Sequence, residues 1–227
     1  MLTRAKNSLH QETNMPSCQS VDMNFLESAP VKIVNSVDIP ATPEQIFAVF
    51  EDEKSWPQWF TGIVSVEWTS PKPFGVDTTR TVNLGAIKVY KHFIHWEDNQ
   101  RFAFYFTKTS LPFVKALLED YRLEALDSNT TRFTHTVAYE PAFPLSILGP
   151  IGKAALNRNF KTATKSLVRF MKLFLISALT ASNCHWSAVK FSSRPPSFSG
   201  VFVTSAPRKG NGDISYHSAV PPPKSTL

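Results

Sequence analysis

The chain has 227 residues, a formal net charge of +6 and only two cysteines, Cys18 and Cys184. Two cysteines this far apart exclude a disulfide framework and a zinc site made of short cysteine pairs. Residues 177–227 hold five Lys or Arg and a single Asp, so most of the excess charge lies outside the predicted domain. The rest of the chain lacks the clustered basic face that a nucleic-acid partner requires.

Composition also predicts the domain boundaries. Residues 177–227 contain eleven Ser and six Pro without periodic apolar positions, and residues 1–22 are polar and aperiodic. Such segments bury too little apolar surface to offset the entropy of ordering them. We therefore expect one folded domain at residues 23–176 between disordered ends at 1–22 and 177–227. The absence of a signal-like or bilayer-spanning apolar run predicts a cytoplasmic protein with no integral membrane span.

The first predicted elements are a strand and a helix. Residues 31–39 alternate apolar and polar side chains, which is typical of a half-buried strand. Pro40 ends this strand. The next residues favour a helix start, because Thr42 and Gln45 are spaced for a capping box and Pro43 suits the first helical position.

A second short helix, a series of strands and a long helix follow. Residues 55–60 predict the short helix, with Ser55 as its cap and its two tryptophans directed inward. We place the strands at residues 62–69, 78–84, 87–96, 101–108, 114–126 and 131–139. Their short connections favour antiparallel neighbours. The helix at 151–176 has an apolar stripe at spacings of three and four, formed by Leu156, Phe160, Ala163, Leu167, Phe170, Met171 and Phe174.

This order of elements predicts the fold class. A twisted antiparallel meander curls, and the last helix has an apolar stripe to bury. The predicted architecture is α+β, with a curved antiparallel sheet wrapped around a long C-terminal helix.

Three segments identify a family. They are IPATPEQIFAVF at residues 39–50, the pair Trp56 and Trp59 around Pro57, and HWEDNQRFAF at residues 95–104. In this order and spacing they resemble the polyketide cyclase/dehydrase branch of the START-like (SRPBCC) superfamily, over residues 32–175. The resemblance implies a helix-grip fold with a hydrophobic cavity between the sheet and the long helix. One departure is Asp77, which stands where the family often has glycine and so affects the loop at the cavity entrance.

The implied cavity gives a set of candidate ligand-binding residues. Aromatic rings on three central strands are expected either to fill the core or to face the cavity. The candidates are Trp59, Phe93, Phe104, Tyr121, Phe133, His135, Phe160 and Leu167.

The histidines are candidates for metal binding or proton transfer. His92 and His95 have opposite parity on one strand, so we expect them to project to opposite faces and not to share a metal. His135 has the parity of Phe133 and Val137 and is predicted to point inward. There it is either a hydrogen-bonded core histidine or, if the protein is an enzyme, the best available general base.

Tyrosines and arginines provide further candidates. Tyr105, Tyr121 and Tyr139 are candidates for directing a hydroxyl into the cavity, and Tyr121 is the second weak catalytic candidate. Arg80 and Arg122 are expected to face solvent, although an inward arginine would favour a ligand with a carboxylate.

The chain contains no nucleophile elbow, phosphate loop, dinucleotide fingerprint or zinc-hydrolase motif. We therefore expect no cofactor and no metal. The leading hypothesis is binding of a small hydrophobic molecule such as a lipid, polyketide or aromatic metabolite. Any turnover would be cyclisation or dehydration directed by pocket shape.

The rival hypothesis is a protein-interaction domain without a small-molecule ligand, resembling family relatives that regulate chaperone ATPases. The volume of any internal cavity distinguishes the two hypotheses. A cavity above roughly 300 Å³ favours a ligand, whereas a filled core with an exposed apolar patch favours a protein partner.

Overall fold

The computed structural model describes residues 15–190, and only the backbone of residues 178–190. The elements are α1 Phe25–Ser28, β1 Val31–Ile39, α2 Pro43–Glu51, α3 Trp56–Trp59, β2 Ser65–Trp68, β3 Thr79–Asn83, β4 Lys88–Glu97, β5 Arg101–Thr109, β6 Val114–Ala125, β7 Thr131–Pro141 and α4 Leu145–Lys190. The seven strands form one antiparallel sheet in the order β1-β7-β6-β5-β4-β3-β2. The α+β helix-grip fold predicted from the sequence is confirmed.

Helix α2 begins at the predicted capping box. The backbone N–H of Thr42 donates to Gln45 Oε1 at 3.0 Å, and the backbone N–H of Gln45 donates to Thr42 Oγ1 at 3.4 Å. The sequence analysis expected Ser55 to cap α3 with its side chain, and this prediction is wrong. The Ser55 hydroxyl oxygen instead lies within hydrogen-bonding distance of the carbonyl oxygens of Val49 and Asp52, which connects α3 to the end of α2.

Helix α4 is longer than predicted at both ends. Its first turns, from Leu145, are separated from the rest by a break at Gly149, which has φ +47°, a conformation that glycine adopts without steric cost. Pro150 follows, where a proline is tolerated at the start of a helix. The helix then continues past Ile176 to Lys190, because the chain has neither Gly nor Pro between Gly152 and Pro195.

The core lies between the concave inner face of the sheet and the buried stripe of α4. Ala163, Leu167 and Met171 of α4 are at most 2% exposed and belong to the same apolar cluster as the sheet. Every turn of α4 between these residues therefore presents an apolar side chain to the strands, as the spacing predicted.

Residues that precede β1 bond to the backbone of β5 and β6 and pack on the outer face of the sheet. The N–H of Cys18 donates to the carbonyl of Thr107 at 2.9 Å, and the N–H of Gln19 donates to that of Lys115 at 2.8 Å. Leu26 of α1 packs in a small outer cluster with Tyr105. Residues 16–22, which the sequence analysis placed in a disordered extension, thus contact the domain.

The remainder of the predicted disordered ends, residues 1–14 and 191–227, lies outside the described residues. One structural unit extends to His185, and the second, Trp186–Leu227, is described only by helical backbone as far as Lys190. Within residues 15–190, no helix has the combination of length and apolarity needed to cross a bilayer.

Candidate functional site

One half of the space between the sheet and the helices is filled by aromatic rings. Phe50 of α2 lies at its centre, 5.3 Å from the ring centroid of Phe133 and 5.6 Å from that of Phe102. Phe93 and Phe104 pack on each other at 5.0 Å. These rings are at most 2% exposed, so this half of the interior is solid core.

The other half contains a cavity of about 230 Å³. The strands contribute apolar side chains to its wall, α4 contributes Leu156, Asn159 and Phe160, and the loop between α3 and β2 contributes residues 60–63. The strand residues that line it include Val82, Val89, Phe106, Leu117, Val137 and Tyr139. The cavity is therefore bounded on both sides by elements whose apolar periodicity is visible in the sequence.

The predicted ligand-binding residues divide between these two halves. Tyr121 and Phe160 line the cavity. His135 lies behind this wall, with its ring centroid 4.4 Å from that of Tyr121 and 5.1 Å from that of Phe160. The remaining candidates are buried in the packed core and do not line the cavity: Trp59, Phe93, Phe104, Phe133 and Leu167. Phe50 of α2 packs on Trp59 and Phe133, and the Arg80 guanidinium lies over the rings of Phe93 and Phe104.

A charged group interrupts the apolar wall. Glu119 accepts from the Tyr121 hydroxyl at 3.1 Å and from His135 Nε2 at 3.0 Å, and its other oxygen lies 3.4 Å from Lys91 Nζ. Since an ionised carboxylate only accepts, the proton in the contact with His135 lies on Nε2. Lys91, Glu119 and Tyr121 all line the cavity. One buried carboxylate thus binds three donors, two of them from the cavity wall.

Arg80 completes this group, which we call the inner cluster: Arg80, Lys91, Glu119, Tyr121 and His135. Arg80 is 1% exposed and is paired with Lys91 across β3 and β4. Its guanidinium carbon lies 4.4 Å from the ring centroid of Trp56 and 4.8 Å from that of Trp68. Within the described residues, none of its three guanidinium nitrogens has a hydrogen-bond partner.

The prediction that Arg80 faces solvent is therefore wrong. Arg80 has the same parity on β3 as Val82, which is 2% exposed on the inner face. Arg122 does face solvent, with 54% of its side chain exposed, and pairs with Asp120.

Burial is the largest cause of the pKa shifts of Lys91, Arg80 and Tyr121. It lowers the pKa of Lys91 to about 8 and that of Arg80 to about 10, and it raises the pKa of Tyr121 well above its ordinary value. For Glu119, burial acts to raise the pKa, but the Lys91 charge and the donors His135 and Tyr121 outweigh it and lower the pKa to about 2. At neutral pH the cluster therefore holds an ionised Glu119 beside protonated Arg80 and mostly protonated Lys91.

The other two histidines lie on the outer face together, not on opposite faces. A bulge between Phe93 and His95 shifts the register, so that His92 pairs with Tyr105 and His95 with Ala103, both outer-face positions of β5. The prediction of opposite faces assumed a regular strand and is wrong. Among the described residues, no three His, Cys, Asp or Glu side chains are grouped to hold a metal ion.

Asp77, which departs from the family pattern, contacts His92 on the outer face. Asp77 has φ +68°, a conformation that favours glycine. Its Oδ1 lies 2.9 Å from His92 Nε2, and His92 Nδ1 lies 3.1 Å from the Tyr105 hydroxyl. Tyr105 therefore points away from the cavity, whereas Tyr139, the third candidate tyrosine, lines it.

Comparison with known proteins identifies the family. Residues 30–172 match the family described as polyketide cyclase / dehydrase and lipid transport. The chain belongs to this family. Two proteins described only as uncharacterised, from Mycobacterium tuberculosis and Mycobacterium bovis, are each 42% identical to the chain over 149 residues, covering 63% of this chain and 89% of their own. Family membership supports a hydrophobic ligand-binding domain.

Solved structures show the same fold. A START superfamily protein from Mycobacterium smegmatis has a TM-score of 0.55 and 14% identity, over 63% of this chain and 98% of its own. TTHA0849 from Thermus thermophilus has a TM-score of 0.53 and 17% identity, again over 63% of this chain and 98% of its own. The resemblance to START-like proteins inferred from the sequence is confirmed at the level of the fold.

Proposed function

We propose that the domain binds a small hydrophobic molecule in the cavity between the inner face of the sheet and α4. The observation that carries this proposal is the cavity of about 230 Å³ in an otherwise densely packed core. Interiors normally close such voids, because each lost contact costs stability. Burying a ligand there returns about 0.8 kcal/mol for every CH₂ group transferred from water.

The volume limits the size of the ligand. It is below the roughly 300 Å³ that the sequence analysis set as favouring a ligand, so that criterion is not met for a drug-sized molecule. It is larger than the cavity of about 150 Å³ that takes up benzene. Scaling by volume from benzene, which has six non-hydrogen atoms, gives a ligand of about nine non-hydrogen atoms. A small aromatic metabolite or an eight-carbon chain has this size, whereas a long-chain lipid or polyketide would extend beyond the cavity.

Titration calorimetry with octanamide tests the proposal. Octanamide has a fitting size and no charge, and we expect it to bind the full chain with a negative heat-capacity change. Val137, at 1% exposure, lines the cavity, so Val137→Phe should fill it and reduce the affinity by at least about tenfold. The matched control is Val34→Phe, at a position that is 54% exposed. Equal binding by the wild type and Val137→Phe would show that octanamide binds elsewhere.

Cyclase or dehydrase activity is a finer version of the same proposal. It is favoured by the Tyr121 hydroxyl and the Glu119 carboxylate at the cavity wall, with His135 bonded behind them. In such a reaction Tyr121 would handle the proton. Glu119, which accepts from both Tyr121 and His135, would act with His135 to position the Tyr121 hydroxyl. Tyr121→Phe should then reduce single-turnover product formation by roughly 10²–10⁴ with little change in affinity, whereas a pure binding protein would show only a small change in affinity.

A protein partner is the second candidate function, and one surface favours it. Phe143, Ile147 and Ile151, beside the break in α4, are 70–76% exposed. An interaction domain would use this patch and not the cavity. Replacing both isoleucines by Ser should leave octanamide binding unchanged under the ligand hypothesis. Failure of octanamide to bind, together with a partner that this variant loses in co-purification, would favour the interaction domain.

A further inference from the structure

We propose, resting on the function proposed above, that the ligand of the cavity carries a single negative charge, in the simplest case a carboxylate, which lies against Lys91. The rest of the ligand would occupy the apolar part of the cavity. This assignment follows from the charges of the inner cluster and from its unused hydrogen-bond donors.

The inner cluster has more positive than negative charge. Arg80 and Lys91 are cationic and Glu119 is its one carboxylate, and all three are at most 7% exposed. A buried charge without a partner costs several kcal/mol, because neither water nor a counter-ion screens it. A ligand with one negative charge would neutralise this excess, whereas a neutral ligand would leave it and a cationic ligand would increase it.

The donors in the cluster also exceed its acceptors. The five N–H groups of a guanidinium and the three of an ammonium each require an acceptor when buried. The hydrogen bond that we find for Lys91 goes to Glu119, and the aromatic rings around Arg80 attract its charge without accepting in-plane hydrogen bonds. A carboxylate has two oxygens that can accept from the ammonium N–H groups of Lys91, which lies on the cavity wall.

The position of these donors relative to the cavity fits an anion. Lys91 lies on the cavity wall, and Arg80 is its direct neighbour across β3 and β4. An anion that contacts the Lys91 ammonium is therefore also attracted by the Arg80 charge, through an interior where attraction is weakly screened. Glu119 is already bound by Lys91, Tyr121 and His135, so it is not available to a cationic ligand.

The test compares octanoate with octanamide, which have the same number of non-hydrogen atoms and differ in charge. Both are titrated into the full chain at pH 7 by calorimetry. Hydrogen bonds to charged groups contribute about 1.5–3 kcal/mol, so we expect octanoate to bind about ten- to a hundredfold more tightly. Lys91→Met should reduce octanoate affinity to that of octanamide and leave octanamide affinity nearly unchanged. The matched control is Lys115→Met, at an exposed lysine paired with Glu140.

Each result has a distinct meaning. Equal affinity of the wild type for the two ligands overturns the assignment of an anionic ligand and leaves the proposed function intact. Octanoate affinity that survives Lys91→Met overturns the assigned position of the anion. Failure of both ligands to bind overturns the proposed function and this inference with it. The comparison in the wild type decides the charge preference even if Lys91→Met does not fold.

Discussion

Glu119 and Asp120 are neighbours on β6, and their carboxylates lie on opposite faces of the sheet. Glu119 belongs to the inner cluster, and Asp120 is bound on the outer face by Arg101 at 2.7 Å and by Arg122 at 2.9 Å. Both carboxylates are almost fully buried, and each has two cationic neighbours. The difference is that the outer arginine side chains are 21% and 54% exposed, so water solvates the charge that Asp120 does not balance.

The inner cluster is much less exposed to solvent than the outer group. Arg80 and Lys91 are 1% and 7% exposed. Two cations beside one carboxylate therefore cost little free energy on the outer face and several kcal/mol on the inner face. The comparison indicates that the outer group stabilises the sheet. Under the proposed function, the cost of the unbalanced charge in the inner group is offset when an anionic ligand binds. The following predictions test this difference.

The largest expected effect comes from removing each carboxylate in turn. Glu119→Gln leaves two buried cations without an anion, and we expect it to lower the free energy of unfolding by about 3–5 kcal/mol. Asp120→Asn leaves two arginines that reach water, and we expect a loss of about 1 kcal/mol. Urea denaturation of both variants measures the difference. Equal losses of unfolding free energy would mean that the two faces are equally solvated and would contradict the proposed difference between them.

The second effect is a dependence of stability on acid pH. The folded-state pKa of Glu119 is lowered from 4.5 to about 2, so its contribution is fully present above pH 4.5 and is lost as the pH falls through the folded value. The shift corresponds to about 3 kcal/mol. We expect the stability difference between the wild type and Glu119→Gln to shrink by this amount between pH 6 and pH 2. A difference that stays constant over this range would contradict the assigned cause of the shift.

The smallest effect should come from the exposed member of the outer group. Arg122→Ala removes an ion pair at a side chain that is 54% exposed, and such pairs contribute about 0.2–1 kcal/mol. High salt should abolish even this loss, because screening is strong at the surface. Denaturation at low and high ionic strength checks the expectation. A loss of several kcal/mol would show that Asp120 depends on both arginines as strictly as Glu119 depends on its partners.

Sequence patterns predicted the features that depend on residues close together in the chain. The capping box of Thr42 and Gln45 uses neighbouring residues, and the apolar stripe of α4 repeats along a single helix. The bulge after Phe93 and the insertion of Phe50 in front of Phe133 depend on contacts between distant segments. Local residue patterns therefore did not predict that His95 shares a face with His92, or that part of the expected cavity is solid.

The inner cluster, by contrast, left a signal that our sequence analysis did not use. Glu119 has the parity of Leu117 and Tyr121, and Lys91 has the parity of Val89 and Phe93. Strand alternation alone thus places both charges on the inner face. We did not consider Lys91 and Glu119, and we assigned Arg80 to solvent because charged residues are rarely buried without partners. The partners of Glu119 come from different strands.

A crystal structure of the full chain with octanoate tests the central claim most directly. The account predicts the carboxylate within hydrogen-bonding distance of Lys91 Nζ, with the alkyl chain extending toward Leu156 and Phe160 in the cavity. A carboxylate directed to solvent past Gly62, or octanoate bound at the exposed patch near Ile147 with the cavity empty, would contradict it.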